Sequence, residues 1–249
     1  MDTSSQYGQQ DFDLPHDVVE LPSKGKFYAN GKSSIKVGYL TAQDENTLLS
    51  QRQTDNVIMT LLRNKIYEPN FDPMVLLECD VEAILIFLRN TSFGSSYTFN
   101  LKDPKTLKDF ESTITLDEIS VKPVTIEPNS EGLFEIMLPV SKKMAKCRLL
   151  NQKDTQELQK MMDSYPEGVV TPVVTKRLER VIVEFDGSKD LSDISSTIVN
   201  LPIADSKHIK KTMEGAEPRL DLTRVFTAPS GEKVTTRIAF GGEFFRPFF

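Results

Sequence analysis

The sequence predicts an α+β protein with two lobes, each a helical set followed by a small antiparallel β element. Three observations predict it. Apolar residues recur at helical spacing in two separate stretches, within 41–90 and 142–214. Each stretch gives way to period-two alternation, within 96–138 and 220–240. Glycine, proline and asparagine punctuate the changes. At 249 residues the chain suits one large domain or two small ones. The expected division is a flexible lead-in over 1–17, an N-terminal lobe over 18–140 and a C-terminal lobe over 141–249.

The elements follow in order. Met1 to Asp13 is rich in Ser, Gln, Gly and Asp and reads as flexible lead-in. Val18–Tyr28 and Ser34–Leu40 alternate around Asn30-Gly31, which predicts a hairpin with a type I′ turn. Thr41-Ala-Gln-Asp44 resembles a capping box, and Leu48, Leu49, Ile58, Leu61, Leu62 and Ile66 continue a helical pattern. A second helix follows Pro73, from Met74 to Asn90, and its run Ala83–Leu88 is apolar enough to be buried. Ser96–Leu101, Ser112–Leu116, Ser120–Glu127 and Leu133–Leu138 read as strands. Lys142–Tyr165 reads as helix, and within it Leu158, Met161 and Met162 suit a core more than an interaction surface. Pro172–Phe185 fits helix or strand, and the first-turn proline favours helix. Helices over Leu191–Asn200 and Ala204–Glu214 precede strands over Leu220–Thr227 and Lys233–Phe240, joined by the turn Pro229–Glu232. A weak internal parallel links Asp80, Ser92-Phe-Gly94 and strands with Asp205, Met213-Glu-Gly215 and strands; duplication and chance both explain it.

Composition narrows the function. A net charge of −6 argues against a general nucleic-acid binder. The densest basic group, Lys176-Arg177-Leu-Glu179-Arg180, includes a carboxylate and reads as a solvated helix face. Cys79 and Cys147 show no spacing that suggests a disulfide framework or zinc site, which fits a reducing compartment. No apolar run is long enough for a membrane span, so a soluble intracellular product is expected.

Reaction chemistry finds little support. Gly25 to Ser33 places five residues between its glycines where a phosphate loop needs four, and a strand follows instead of a helix. His16 lies in the lead-in and His208 on an expected exposed helix face, so neither sits beside an evident nucleophile. The carboxylate groups Asp44/Glu45, Asp117/Glu118 and Glu78/Asp80/Glu82 read as a helix N-terminus, a strand junction and a solvated stripe. No catalytic, metal or cofactor site is expected. The terminal stretch Phe240–Phe249 is the most distinctive feature, because exposed phenylalanines at a chain end cost solubility. They are expected either to pack on the C-terminal lobe or to meet a partner.

Several fragments carry a resemblance. Leu21-Pro-Ser-Lys-Gly-Lys-Phe-Tyr28, Leu40-Thr-Ala-Gln-Asp-Glu45, Phe87–Tyr97, Asn200-Leu-Pro-Ile-Ala-Asp205 and Phe244-Phe-Arg-Pro247 resemble baseplate proteins of T4-like contractile-tailed bacteriophages, the hub-assembly kind in particular. The resemblance implies a late viral product of the host bacterial cytoplasm. It would assist formation of the central baseplate hub as an assembly catalyst, with no covalent reaction. Relatives in the wider family often carry paired cysteines in two turn regions, which suggests zinc. The corresponding stretches here, Ser92–Ser96 and Ala228–Gly231, have none, so packing would have to replace metal.

The resulting expectation is a chaperone-like, non-enzymatic assembly factor whose partners are other baseplate hub proteins, without nucleic acid or membrane insertion. The expected partner-binding residues are Phe244, Phe245, Arg246, Phe248 and Phe249, since aromatics and arginine anchor interfaces. Phe27 and Tyr28 are a second candidate, at a hairpin edge that could accept a strand. The alternatives are a permanent subunit of the hub or tail tip, which would be retained in the virion tail, and a tail-associated hydrolase.

Overall fold

The computed structural model describes residues 15–28, 30–49, 54–166, 168–240 and 242–245. The class is α+β, as the sequence predicts. The lead-in over Met1–Asp13 lies outside the described residues.

Strand β1 (His16–Glu20) pairs antiparallel with β2 (Ser34–Gly38). His16 and Asp17 therefore belong to the strand, not to the lead-in. Asn30-Gly31 is not the tip of a tight turn. The strands close at Leu21, whose N–H donates to the Ser33 carbonyl at 2.8 Å, and 22–28 coils as turns. A Cβ on Gly25, which has φ +72°, would lie 2.3 Å from the Gly31 carbonyl oxygen, so the coil requires glycine there.

Helices α1 (Ala42–Leu49) and α2 (Thr54–Lys65) follow. Asp72 caps a single 3₁₀ turn at Pro73–Val75, so the helix predicted from Met74 begins only at Glu78, as α3 (Glu78–Phe93). Hairpin β3 (Ser96–Lys102) and β4 (Asp109–Thr115) comes next. The strand predicted over Ser120–Glu127 shrinks to β5 (Val121–Lys122), because Pro123 has no N–H to extend a ladder.

Strands β6 (Phe134–Met137) and β7 (Met144–Cys147) lead to α4 (Gln152–Asp163). The helix predicted from Lys142 thus starts late. Met144–Cys147 alternates and pairs with β6, and Asn151 caps the helix proper. Leu158 is buried, while Met161 and Met162 are half-buried. Pro172–Phe185 turns out to hold both structures, α5 (Val173–Val181) and then β8 (Ile182–Phe185). The β-branched run Val181-Ile-Val pairs with β7 where the chain leaves the helix. Helices α6 (Leu191–Val199) and α7 (Ile203–Ala216), strand β9 (Arg219–Leu220) and hairpin β10 (Thr223–Thr227) with β11 (Lys233–Arg237) complete the chain. A 3₁₀ turn spans Gly242–Phe245.

Two cores form, and they do not divide at residue 140. The first gathers Ile35, Val37, Leu62, Ile84 and Leu88 with Leu220, Ile238, Phe244 and Phe245. The second holds Leu77, Phe134, Cys147, Leu178, Ile182 and Ile209. The chain over 220–245 therefore returns to the first lobe, because both hairpins pack apolar side chains against that core and Phe244 and Phe245 are buried in it.

The lobes repeat one plan. Each opens with an antiparallel pair whose first strand runs into Leu-Pro, at 21–22 and 138–139. Those leucine N–H groups donate across the loop to the Ser33 carbonyl at 2.8 Å and the Lys143 carbonyl at 2.9 Å. Lys24 and Lys142 then take the left-handed conformation, with φ 53° and 57°. Thr41 and Asn151 each pair with an aspartate three residues on, Asp44 and Asp154, to start α1 and α4. After the next helix, Ile66 bridges to Val37 and Ile182 pairs with Cys147. Hairpins β3–β4 and β10–β11 finish the two units. Phe99 and Phe226, one from each hairpin, meet with ring centroids 5.2 Å apart.

Candidate functional site

The second shared device is a buried aspartate, the third residue of α3 and of α7. Asp80 accepts from the Ser23 N–H at 2.9 Å and from the Tyr28 hydroxyl. Asp205 accepts from the N–H groups of Val140 at 2.8 Å and Ser141 at 2.9 Å. Each latches the Leu-Pro turn of its lobe to a helix. Burial would raise the Asp205 carboxyl, but these backbone donors outweigh it and hold the group below the usual aspartate range. The expectation that Glu78, Asp80 and Glu82 share a solvated stripe is therefore corrected: Asp80 and Glu82 are buried, and only Glu78 is exposed.

The latch also explains Phe27 and Tyr28. The Tyr28 hydroxyl donates to Asp80 and accepts from the Leu77 N–H at 3.0 Å. Burial and the Asp80 carboxylate push that hydroxyl well above its ordinary range. Phe27 stacks on Phe134 of the second core at 5.9 Å. Both side chains join the lobes, and because 22–28 is turn, no strand edge is offered at these residues.

The aromatic end resolves in part. Phe244 and Phe245 are buried in the first core. The Phe244 ring meets Tyr97, Phe240 and Phe245 at 5.5, 4.8 and 5.1 Å, and the Arg89 guanidinium lies 5.6 Å from its centroid. These two rings are packing, not a free contact surface, since exposing them would give up a large buried area. Arg246, Phe248 and Phe249 lie outside the described residues.

The hairpin tips are held without cysteine. Asp103 accepts from the Ser230 hydroxyl at 2.7 Å and the Ser230 N–H at 3.1 Å. The turn that faces 228–231 is thus the tip at 103–108, and not Ser92–Ser96. Neither tip contains cysteine or histidine, so these turns do not suit zinc. Among the described residues no group of three His, Cys, Asp or Glu could hold a metal. No described helix is long and apolar enough to cross a membrane. Cys79 and Cys147 are buried free thiols, and burial pushes Cys147 up to about 12, so neither is an available nucleophile.

What remains open is a groove of about 790 Å³ on the second lobe. Helices α5 and α7 form its walls, and Leu149 and Leu150 contribute to its lining. Val174 and Ile203 stand on its rim, 64% and 72% exposed. Such apolar side chains in one hollow mark a contact site more than scattered surface residues would. Arg177 and Lys207, both exposed, border it and have no ion-pair partner among the described residues. Sequence reading missed this groove, treating 176–180 as a solvated face. That holds for the pairs Lys176–Glu179 and Arg180–Glu157, at 2.7 and 2.8 Å, but Arg177 turns to the groove. A second hollow of about 380 Å³ lies where α3 meets β9 and β11. Glu82 pairs there with Arg237 at 2.9 Å and Glu217 with Arg219 at 2.5 Å, while Glu78 and Arg177, which borders both hollows, have no ion-pair partner among the described residues.

The T4 bacteriophage base plate protein family matches residues 15–246. The chain belongs to that family. No match was found among the curated proteins or the solved structures. The matched span takes in both lobes, the latching aspartates and the groove of this baseplate protein. Membership associates the chain with the tail of a contractile phage and with other baseplate proteins.

Proposed function

We propose that this baseplate protein is a non-enzymatic assembly factor that promotes formation of the central hub through transient protein contacts. The observation that carries the reading is the open groove between α5 and α7, in a chain whose Phe244 and Phe245 are already buried in its own core. An apolar hollow bordered by unpaired cations is built to hold another protein segment. The candidate carboxylates support the same reading, because Asp80 and Asp205 are committed to backbone amides and Glu82 to Arg237.

The test is quantitative mass spectrometry of purified tails beside infected-cell lysate. Abundance in lysate with absence from tails is the expected result. A fixed, symmetric stoichiometry in tails would instead make the chain a permanent hub or tail-tip subunit.

A further inference from the structure

The internal repeat says what the groove should hold. Positions five, eight and twelve of α3 are Glu82, Leu85 and Arg89; the same positions of α7 are Lys207, Lys210 and Glu214. Residues at this spacing share one helix face. On α3 all three are buried, and the chain's own C-terminal part covers them in part. Arg237 of β11 donates to Glu82 at 2.9 Å, and the Phe244 ring lies against Arg89. On α7 all three are exposed and line the groove. The sign at position five is reversed: Glu82 meets a cation, whereas Lys207 is a cation with no ion-pair partner among the described residues.

We infer that the α5–α7 groove takes a segment of another baseplate protein that presents phenylalanine side chains flanked by carboxylates. This rests on the reading of the groove as a docking surface and names its partner's chemistry. The phenylalanines fill the hollow between Leu149 and the rim residues Val174 and Ile203, as Phe244 fills the first lobe. The carboxylates answer Lys207 and Arg177, in place of the Arg237–Glu82 pair. A second copy's aromatic end is a poor occupant. Its Phe244 and Phe245 are already buried, and Arg246 follows them in sequence, adding like charge beside Lys207.

Fluorescence anisotropy tests this with the full chain and a short labelled peptide, two phenylalanines on one helical face flanked by glutamates. Saturable binding with Kd on the order of 10–100 μM is expected, weakening with added salt. Ile203→Glu should abolish it, and Lys207→Glu should weaken it about tenfold or more. Both positions are exposed, so the variants should fold. Equal binding of a lysine-flanked peptide, or indifference to Lys207→Glu, would overturn the inference. So would self-association of the free chain that Ile203→Glu removes, which would make a second copy the occupant. Binding that tightens about tenfold on removal of residues 1–14 would assign the groove to the chain's own acidic start, and overturn it too. If Ile203→Glu blocks hub formation while the acidic peptide does not bind, the docking reading stands and the partner chemistry proposed here is wrong.

Discussion

Helix α3 and helix α7 hold the same place in their lobes, and their surroundings differ. Both start next to a Leu-Pro turn, both bury an aspartate at the third position, and both lead into an antiparallel hairpin. Yet both hairpins join the first core, and so do Phe244 and Phe245. Nothing among the described residues covers the α5–α7 side of the second lobe to the same extent, and the groove is the consequence. The backbone amide latches are shared because they are framework. The side chains on the outward stripe differ because on α3 they meet the chain itself and on α7 they face outward.

The largest effect that could break this comparison is at the covered end. Phe244→Ala should cost on the order of 3–5 kcal/mol, as a buried aromatic lost to a cavity, while Ile203→Ala should stay within about 0.5 kcal/mol. Urea unfolding measures both, and similar costs would mean that the two stripes are not covered differently. Next come the latches. Asp80→Ala orphans the buried Ser23 N–H and the Tyr28 hydroxyl, and Asp205→Ala orphans the N–H groups of Val140 and Ser141, so each should cost roughly 2–4 kcal/mol. Comparable losses would sharpen the view that the lobes repeat one device.

A pH series tests the covered fifth position, Glu82. Burial first, and then Glu78, raises the Glu82 carboxyl to about 7, against the opposing pull of Arg237. Because the folded state favours its protonated form, Glu82 stabilises below the ordinary glutamate range. That contribution is lost as pH rises through about 7. Relative to Glu82→Gln, the native chain should lose on the order of 1–3 kcal/mol between pH 4.5 and 7, read by urea unfolding at the two pH values. The smallest effect is at the caps, where Asn151→Ala should cost about 1 kcal/mol by thermal melting.

Much of the fold was legible in the sequence, since period and punctuation locate most elements. The errors fall where local pattern and tertiary pairing compete. Met144–Cys147 borders a strongly helical stretch, and only pairing with β6 makes it strand. The stretch 22–28 alternates like a strand but carries Pro22 and Gly25, and the chain coils there. The repeat was half visible through Asp80 and Asp205. The clearer signal was Leu-Pro followed by Ser-Lys in both lobes, with Leu40-Thr-Ala-Gln-Asp44 set against Leu150-Asn-Gln-Lys-Asp154. The groove was not legible, because it arises from where distant segments go. Nothing within Ile203–Glu214 says that Phe244 and Phe245 pack on the other lobe.

The most direct test of the central claim is the yield of complete tails from cells infected by phage carrying the double variant Val174→Glu, Ile203→Glu. The account predicts that the purified variant melts at the native temperature while hubs fail to form and tails are lost. Normal tail yield with this groove filled by carboxylates would contradict it.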